Sequence, residues 1–465
     1  MRILLAVAAT CCVAVAMGAE SKNPNILLIV ADDLGYADVG FHGAEDIPTP
    51  HLDALAARGV RFSNGYVSST WCSPTRAGLL TGRYQQRFGV RGHEGTPDEA
   101  LSLEETTLAD RLRAAGYVTG VIGKWHLGTG PEFHPVARGF DEFFGFLRGA
   151  HNFWPDVPFI LFPDRTGRGP LIAEIRQRAM GGRQILRGTE PVAEEAYLTD
   201  AFGREAVSFI ERHASGPFFL FLSFNAVHTP MQAEVNRLAA FATTAHPVRR
   251  VYNAMTLAMD EAIGAVFAQL RRSGIEEDTL VFFISDNGGP TVRRFAYNAS
   301  DNSPLRGSKG STLEGGIRVP FVVSWPGGLP SGMQYDQPAI QLDFLPTALA
   351  AAGVPVDPEW RLDGVNLLPY LRGEAAGRPH DLLFWRSIRQ MAVRSGDWKL
   401  VTYQARFDTG DIGLDDPLDQ VTPHRLYNLA RDVGETEDLS RQEPERVAEL
   451  LSHWNDWNAQ MRPVP

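Results

Sequence analysis

The sequence predicts an α/β/α sandwich on a large, mostly parallel sheet, followed by a small C-terminal α+β unit with an antiparallel sheet. Three observations carry that expectation. Four short runs rich in Val, Ile, Leu and Phe are apolar without alternation, as strands buried on both faces are; they are Asn25 to Val30, Tyr117 to Ile122, Phe218 to Ser223 and Leu280 to Ser285. Helical patterns lie between them. After about residue 375 the texture changes to short alternating segments, Asp381 to Tyr403 and Arg425 to Leu429, closed by an amphipathic helix from about Pro444 to Met461.

At the N-terminus, Arg2 precedes an apolar run from Ile3 to Met17, and small residues follow at Ala16, Gly18 and Ala19. That is the pattern of a secretory signal over residues 1–19. The run falls short of the roughly 20 apolar residues that span a bilayer. The expectation is an exported protein, periplasmic or secreted, with no membrane partner. A catalytic domain over 23–375 and a C-terminal subdomain over 376–465 follow. A net charge of -11 supplies no global positive field for phosphates and argues against nucleic acid as a partner.

Among the helices, Thr49 to Ala57 places Leu52, Leu55 and Ala56 on one face and stops at Gly59. From Tyr252 to Leu270, residues Tyr252, Met255, Met259, Ile263, Val266 and Leu270 recur at steps of three or four, a core stripe. The stretch from Phe159 to Glu190 carries six arginines (165, 168, 176, 178, 183 and 187) against three acids. It suits either a solvated surface segment or a cover over an anionic substrate.

All four buried runs end in polar or charged residues: Asp32-Asp33, Lys124-Trp125-His126, His228-Thr229-Pro230 and Asp286-Asn287-Gly288-Gly289. The C-terminal edge of an open α/β sheet is where ligands bind. Singly, such acids cap helices, such histidines are structural and such lysines lie on surfaces. Together, at four strand ends, they indicate a site.

Of three cysteines, Cys11 and Cys12 fall within the signal, leaving Cys72 alone in the mature chain. A lone thiol in an exported protein is either buried and inert or present for chemistry. In Cys72-Ser73-Pro74-Thr75-Arg76, Ser73 suits a helix cap and Pro74 a first turn, which places Cys72 just before a helix N-terminus. That position favours developing negative charge, and Arg76 lies about one turn on.

The stretch Cys72-Ser-Pro-Thr-Arg-Ala-Gly-Leu-Leu-Thr-Gly82 resembles the signature of the type I sulfatases, members of the alkaline phosphatase superfamily. Gly116-Tyr-Val-Thr-Gly-Val-Ile-Gly-Lys-Trp-His126 resembles their second signature. Ala31 to Gly35, Asn225 to Pro230, Ser285 to Gly288 and Gly307 to Gly310 match further family positions in order. The likeness runs from about residue 23 to the C-terminus, with Thr75 where Ser is commoner and a bulky Trp71 before the cysteine.

The resemblance implies an alkaline-phosphatase-like fold and a sulfuric ester hydrolase. It implies that a maturation enzyme oxidises Cys72 to formylglycine (3-oxoalanine), whose hydrate is a geminal diol. One diol oxygen attacks sulfur and expels the alcohol, and the other then loses its proton and ejects sulfate. Asp32, Asp33, Asp286 and Asn287, with residue 72 itself, would ligate one Ca2+, with Mg2+ the lesser candidate. The absence of a Cys or His cluster near them in the sequence speaks against zinc. Arg76, Lys124 and Lys309 would surround the sulfate, His126 would take the proton in the elimination step, and His228 with Lys309 would face the leaving oxygen as acid.

Two other functions compete with this one. A phosphonate monoester or phosphodiester hydrolase of the same superfamily shares the nucleophile motif. An inactive, sulfated-glycan-binding relative would be expected to have lost Cys72, a lysine or a metal carboxylate, and none is lost. Export and the aromatic, glycine-containing stretch Arg148 to Trp154 suit a sulfated carbohydrate substrate. Trp154 would stack on a sugar ring and His151 or Asn152 would bind hydroxyls; a core aromatic beside a turn reads equally well.

Overall fold

Asn25–Ala31 (β1) is buried along its whole length. Its side chains alternate between two cores: Leu27 and Ile29 enter one, and Ile26, Leu28 and Val30 enter the other. A strand with no wet face needs no polar residues, which is why the run shows no alternation. The computed structural model describes residues 23–90, 100–154, 159–163, 170–174, 184–292, 297–408 and 420–463. The expected export signal, residues 1–19, lies outside them. Among the described residues no helix is long and apolar enough to cross a membrane.

β1 sits in a ten-stranded sheet. Its other members are β2 (Val60–Phe62), β3 (Val118–Lys124), β4 (Glu142–Phe146), β5 (Ile185–Arg187), β6 (Glu190–Val192), β7 (Phe218–Ser223), β8 (Thr279–Ser285), β9 (Phe321–Ser324) and β10 (Met333–Tyr335). Their spatial order is β10-β2-β9-β8-β1-β7-β3-β4-β5-β6. The five central strands, β8-β1-β7-β3-β4, are parallel. β9 is antiparallel to both β8 and β2 on one side, and β5 is antiparallel to β4 on the other. The four strands expected from the sequence are thus neighbours, and their C-terminal ends share one edge.

Helices cover both faces, as the fold class requires. On one face the core includes Met255, Met259, Ile263, Val266 and Leu270 of the long helix Pro247–Arg272. That helix starts a turn earlier than the apolar stripe indicated, because His246 accepts a hydrogen bond from the Arg249 amide and Pro247 occupies the first helical position. The opposite core includes Ala77, Leu79 and Leu80 of the helix Cys72–Thr81. The helix expected over 49–57 spans Pro50–Arg58.

A separate four-stranded antiparallel sheet follows: Leu382–Ser387, Gln390–Ser395, Trp398–Thr402 and Arg425–Asn428. The helix Pro444–Asn458 packs on it through Leu450 and Trp457. Of the arginine-rich stretch, residues 165, 168, 176, 178 and 183 lie outside the described residues. Arg187 pairs with Glu205 at 2.7 Å and lies over the Phe144 ring, so it serves the sheet edge.

The C-terminal sheet is joined to the main body by a buried charge cluster. Lys399 Nζ lies 2.8 Å from Glu314 Oε1 and 2.9 Å from Glu435 Oε1, and all three side chains are fully buried. Arg318 and Tyr66 also reach Glu314, and Arg394 donates to the Tyr66 hydroxyl. Burial, with Glu314 beside it, pushes the Glu435 carboxyl up to about 7, whereas Lys399 and Arg318 overcome burial at Glu314 and hold it near about 2. Folded Glu435 therefore keeps a proton that the unfolded chain loses above its ordinary value of 4.5. Its contribution to stability falls as pH rises toward 7. Lys399→Met is expected to lower stability by about 3–5 kcal/mol in urea unfolding, because two buried carboxylates lose their shared cation. The loss is expected to be smaller at pH 5 than at pH 8, since Glu435 is protonated at the lower pH.

Candidate active site

The C-terminal edge of the parallel strands delivers the site residues. Asp32 and Asp33 follow β1, Lys124 ends β3 with His126 two residues on, His228 lies beyond β7, and Asp286 and Asn287 follow β8. Two of these residues, Asp33 (φ 63°) and His126 (φ 61°), hold the left-handed backbone that non-glycine residues seldom adopt. Just before Lys124, Gly123 has φ 111°, and a Cβ there would sit 1.8 Å from the Ser223 carbonyl oxygen. Only glycine lets β3 and β7 close at that level.

Cys72 lies inside the first turn of its helix rather than before it, which corrects the sequence expectation. Trp71 is the capping residue, with extended backbone (φ −136°, ψ 149°), and no side chain caps the helix. The Thr75 amide bonds to the Trp71 carbonyl at 3.2 Å, so Ser73 is already helical. Pro74 fits because an amide in the first turn has no helical partner to lose. Every residue of the helix is buried, including Arg76.

Three cations and three carboxylates interlock here. Lys124 Nζ meets Asp32 Oδ2 at 2.6 Å, and Lys309 Nζ meets Asp33 Oδ1 at 2.6 Å. Arg76 donates from Nε and Nη2 to Asp286 Oδ2 at 3.0 and 2.9 Å. Arg76 Nη1 reaches the Lys124 carbonyl at 3.0 Å and the Ser223 hydroxyl. Asn287 Nδ2 donates to Asp33 Oδ1 at 2.7 Å. His228 Nε2 stands 3.5 Å from Asp33 Oδ2, while its Nδ1 donates to the Thr229 carbonyl at 2.6 Å.

This field sets the protonation states. Burial alone would push the Cys72 thiol up, but Lys124, His126 and Lys309 overcome it and bring it down to about 6, with His126 also hydrogen-bonded to the thiol. Burial raises Asp32 to about 7, helped by Asp286. At Asp33, Lys309 and His228 overcome burial and hold the carboxyl near about 2. Burial pushes His228 down to about 4, so its imidazole is neutral near pH 7. Burial works against the Lys309 ammonium, but Asp33 outweighs it and the net shift is upward.

Several oxygens remain unmatched. Asp32 Oδ1, Asp33 Oδ2 and Asn287 Oδ1 are buried and accept no hydrogen bond. Potential ligand atoms of Asp32, Cys72 and Asp286 lie within 4.8 Å of one another, as do those of Asp32, Asp33 and His228. His228 thereby joins the candidate metal group, a role the sequence did not suggest.

The residues expected to contact substrate lie one strand further out. Residues 147–154 leave the end of β4, whose last residues bond to the backbone beside His126. His151 packs its ring on Phe146 and bonds its Nδ1 to the Asn152 carbonyl. Trp154 packs on Tyr197, 5.5 Å between ring centres, so part of its surface belongs to the core. Gln232 ties this segment to the His228 loop, accepting from the Phe153 amide at 2.7 Å.

Sequence reasoning missed Gln232, Ser223 and Asn298. Ser223 also donates to the Lys124 carbonyl at 2.7 Å, and its signal was a hydroxyl ending an otherwise apolar strand. Asn298 donates to the Asp33 and Val227 carbonyls at 3.2 and 3.0 Å. It lies in a polar run with no period to mark it.

With this geometry described, comparison with known proteins identifies the class. The family model described as Sulfatase matches residues 24–354. Arylsulfatase A of Homo sapiens is 35% identical over 446 residues, covering 90% of this chain and 84% of that one. N-acetylgalactosamine-6-sulfatase of Homo sapiens is 34% identical, covering 91% and 83%. Among solved structures, Ps i-CgsB in complex with k-i-k-neocarrahexaose superposes with a TM-score of 0.81 at 33% identity, covering 95% of this chain and 94% of that one. The fold is that of an alkaline-phosphatase-like hydrolase of sulfate esters. The chain belongs to the sulfatase family.

Arg76→Met would leave Asp286 Oδ2 without its buried cation and the Ser223 hydroxyl without its guanidinium donor, while the Lys124 carbonyl keeps the Ser223 bond. A loss of about 3–5 kcal/mol is expected in urea unfolding. Arg76→Lys is expected to recover less than half of it, because one ammonium cannot reproduce the guanidinium fork.

Proposed function

We propose that this sulfatase removes sulfate from a sulfated carbohydrate, using Cys72 matured to formylglycine and one calcium ion held by Asp32, Asp33, Asp286, Asn287 and residue 72. The observation that carries this is the set of partnerless oxygens on Asp32, Asp33 and Asn287. Buried carboxylate oxygens without partners are costly, and a hard cation satisfies them together. The donors are almost all oxygen, which suits calcium or magnesium better than zinc, and their number suits calcium's larger shell. The carbohydrate class draws on N-acetylgalactosamine-6-sulfatase and on the oligosaccharide bound by Ps i-CgsB.

When present, the cation and the formylglycine hydrate supply charge neutralisation and a nucleophilic oxygen of lowered pKa. The chain's residues do the rest. Lys124 and Lys309 are already ordered by Asp32 and Asp33, so they meet sulfate oxygens with little reorganisation. Arg76, clamped on Asp286, fixes the field from beneath. His126, bonded to the residue 72 side chain, is placed to receive the proton in the elimination step. Lys309, paired with Asp33, and His228, beside the same carboxylate, face the leaving oxygen as its acid.

The test is mass spectrometry of protein produced with its maturation enzyme, followed by assay on 4-nitrophenyl sulfate. Conversion of Cys72 to an aldehyde is expected, with sulfate release absent in Cys72→Ala. Exhaustive chelation is expected to abolish release and Ca2+ to restore it better than Zn2+. Full activity from an unmodified thiol would refute the nucleophile, and full activity after chelation would refute the cation.

A further inference from the structure

We infer that Trp71 is a specificity-determining residue: its indole, backed by Phe407, is the platform on which the ring carrying the sulfate lies. Between Gly65 and Gly82 every residue is buried except Trp71, which keeps partial exposure. Its neighbour Cys72 is only 7% exposed. On this stretch of chain, Trp71 is therefore the surface that an incoming ester meets beside the nucleophile.

Lys309 Nζ lies over the indole, 6.0 Å from its ring centre. On the reading that Lys309 faces the leaving oxygen, the carbon skeleton attached to that oxygen passes against Trp71. The inference rests on that reading. Phe407, 2% exposed, meets the indole nearly edge-on, 5.9 Å between centres at 80°.

The platform is also held in place. The Thr70 carbonyl accepts from the Gly310 amide at 3.0 Å, and the Thr70 hydroxyl pairs with that of Ser387 in the C-terminal sheet at 2.8 Å. Gly310 has φ +91°, and a Cβ there would come within 2.6 Å of the Phe407 ring, so glycine is what lets the Lys309 loop pass. A fixed indole offers stacking area at small entropic cost. The ligand class it fits is a six-membered ring with an apolar face, either the C–H face of a pyranose or an aryl ring.

The test compares wild type, Trp71→Phe and Trp71→Leu, with Cys72 conversion measured in each and rates normalised to it. The substrates are 4-nitrophenyl sulfate and N-acetylgalactosamine 6-sulfate, and inorganic sulfate serves as a competitive inhibitor. Trp71→Leu is expected to raise KM for both ring sulfates about tenfold. Its kcat should stay close to wild type and the inhibition constant of inorganic sulfate should not move. Trp71→Phe should recover most of the KM. An unchanged KM in Trp71→Leu would overturn the inference. So would a parallel rise in the sulfate inhibition constant, which would mean that the indole merely positions Lys309. Failure of the catalytic reading would show separately, as no sulfate release from fully converted wild type. Calorimetric binding of 4-nitrophenyl sulfate to the same three proteins would then decide the platform.

Discussion

The structure depends on an interlocked set of buried charges at one sheet edge. Arg76, Lys124 and Lys309 face Asp286, Asp32 and Asp33 in three close pairs. None of these six groups could be buried alone. Each is tolerable because another element supplies its counter-charge: Lys124 meets Asp32 across the ends of β3 and β1, Arg76 reaches Asp286 from the Cys72–Thr81 helix, and Lys309 reaches Asp33 from a loop. The set is near neutral by itself. On the proposed reading, a dication, an anionic ester and an ionised nucleophilic oxygen would also sum to zero and keep that balance.

Much of this was legible in the sequence. A strand buried on both faces has nowhere to hide a polar residue, so β1, β3, β7 and β8 stand out as uninterrupted apolar runs, and Asp32, Lys124, His228 and Asp286 stand out as what ends them. The supports around them were not legible. Gln232, Ser223 and Asn298 act through hydrogen bonds to backbone atoms distant in sequence, and such bonds leave no periodic trace. The helix start at Cys72 was misplaced for a related reason. Ser73 and Pro74 suit a cap and first turn, but an extended Trp71 with no side-chain cap moved the boundary upstream.

The C-terminal sheet looks peripheral in the strand order, yet it ties into the main body at two points, one of them beside Cys72. Through Lys399 it anchors Glu314, and Glu314 opens the short helix that precedes β9. Through Ser387, and through Phe407 in the turn that follows its third strand, it braces the segment that carries Trp71 and Cys72. The alternation of Leu382–Ser387 and its neighbours predicted a half-buried sheet. It gave no hint that Lys399, within one of those strands, would be fully buried.

The burial of the entire Cys72 helix has an evolutionary consequence. With Arg76 sealed beneath the sheet edge and no face of that helix free, the reactive machinery offers almost no position where a substitution could alter selectivity alone. The rim is different, because Trp71 and residues 147–154 come from separate parts of the chain. Such an architecture decouples what reaction is performed from what molecule undergoes it. New substrates become accessible through mutation at the rim, while the inner charges remain under a constraint that any single replacement would violate.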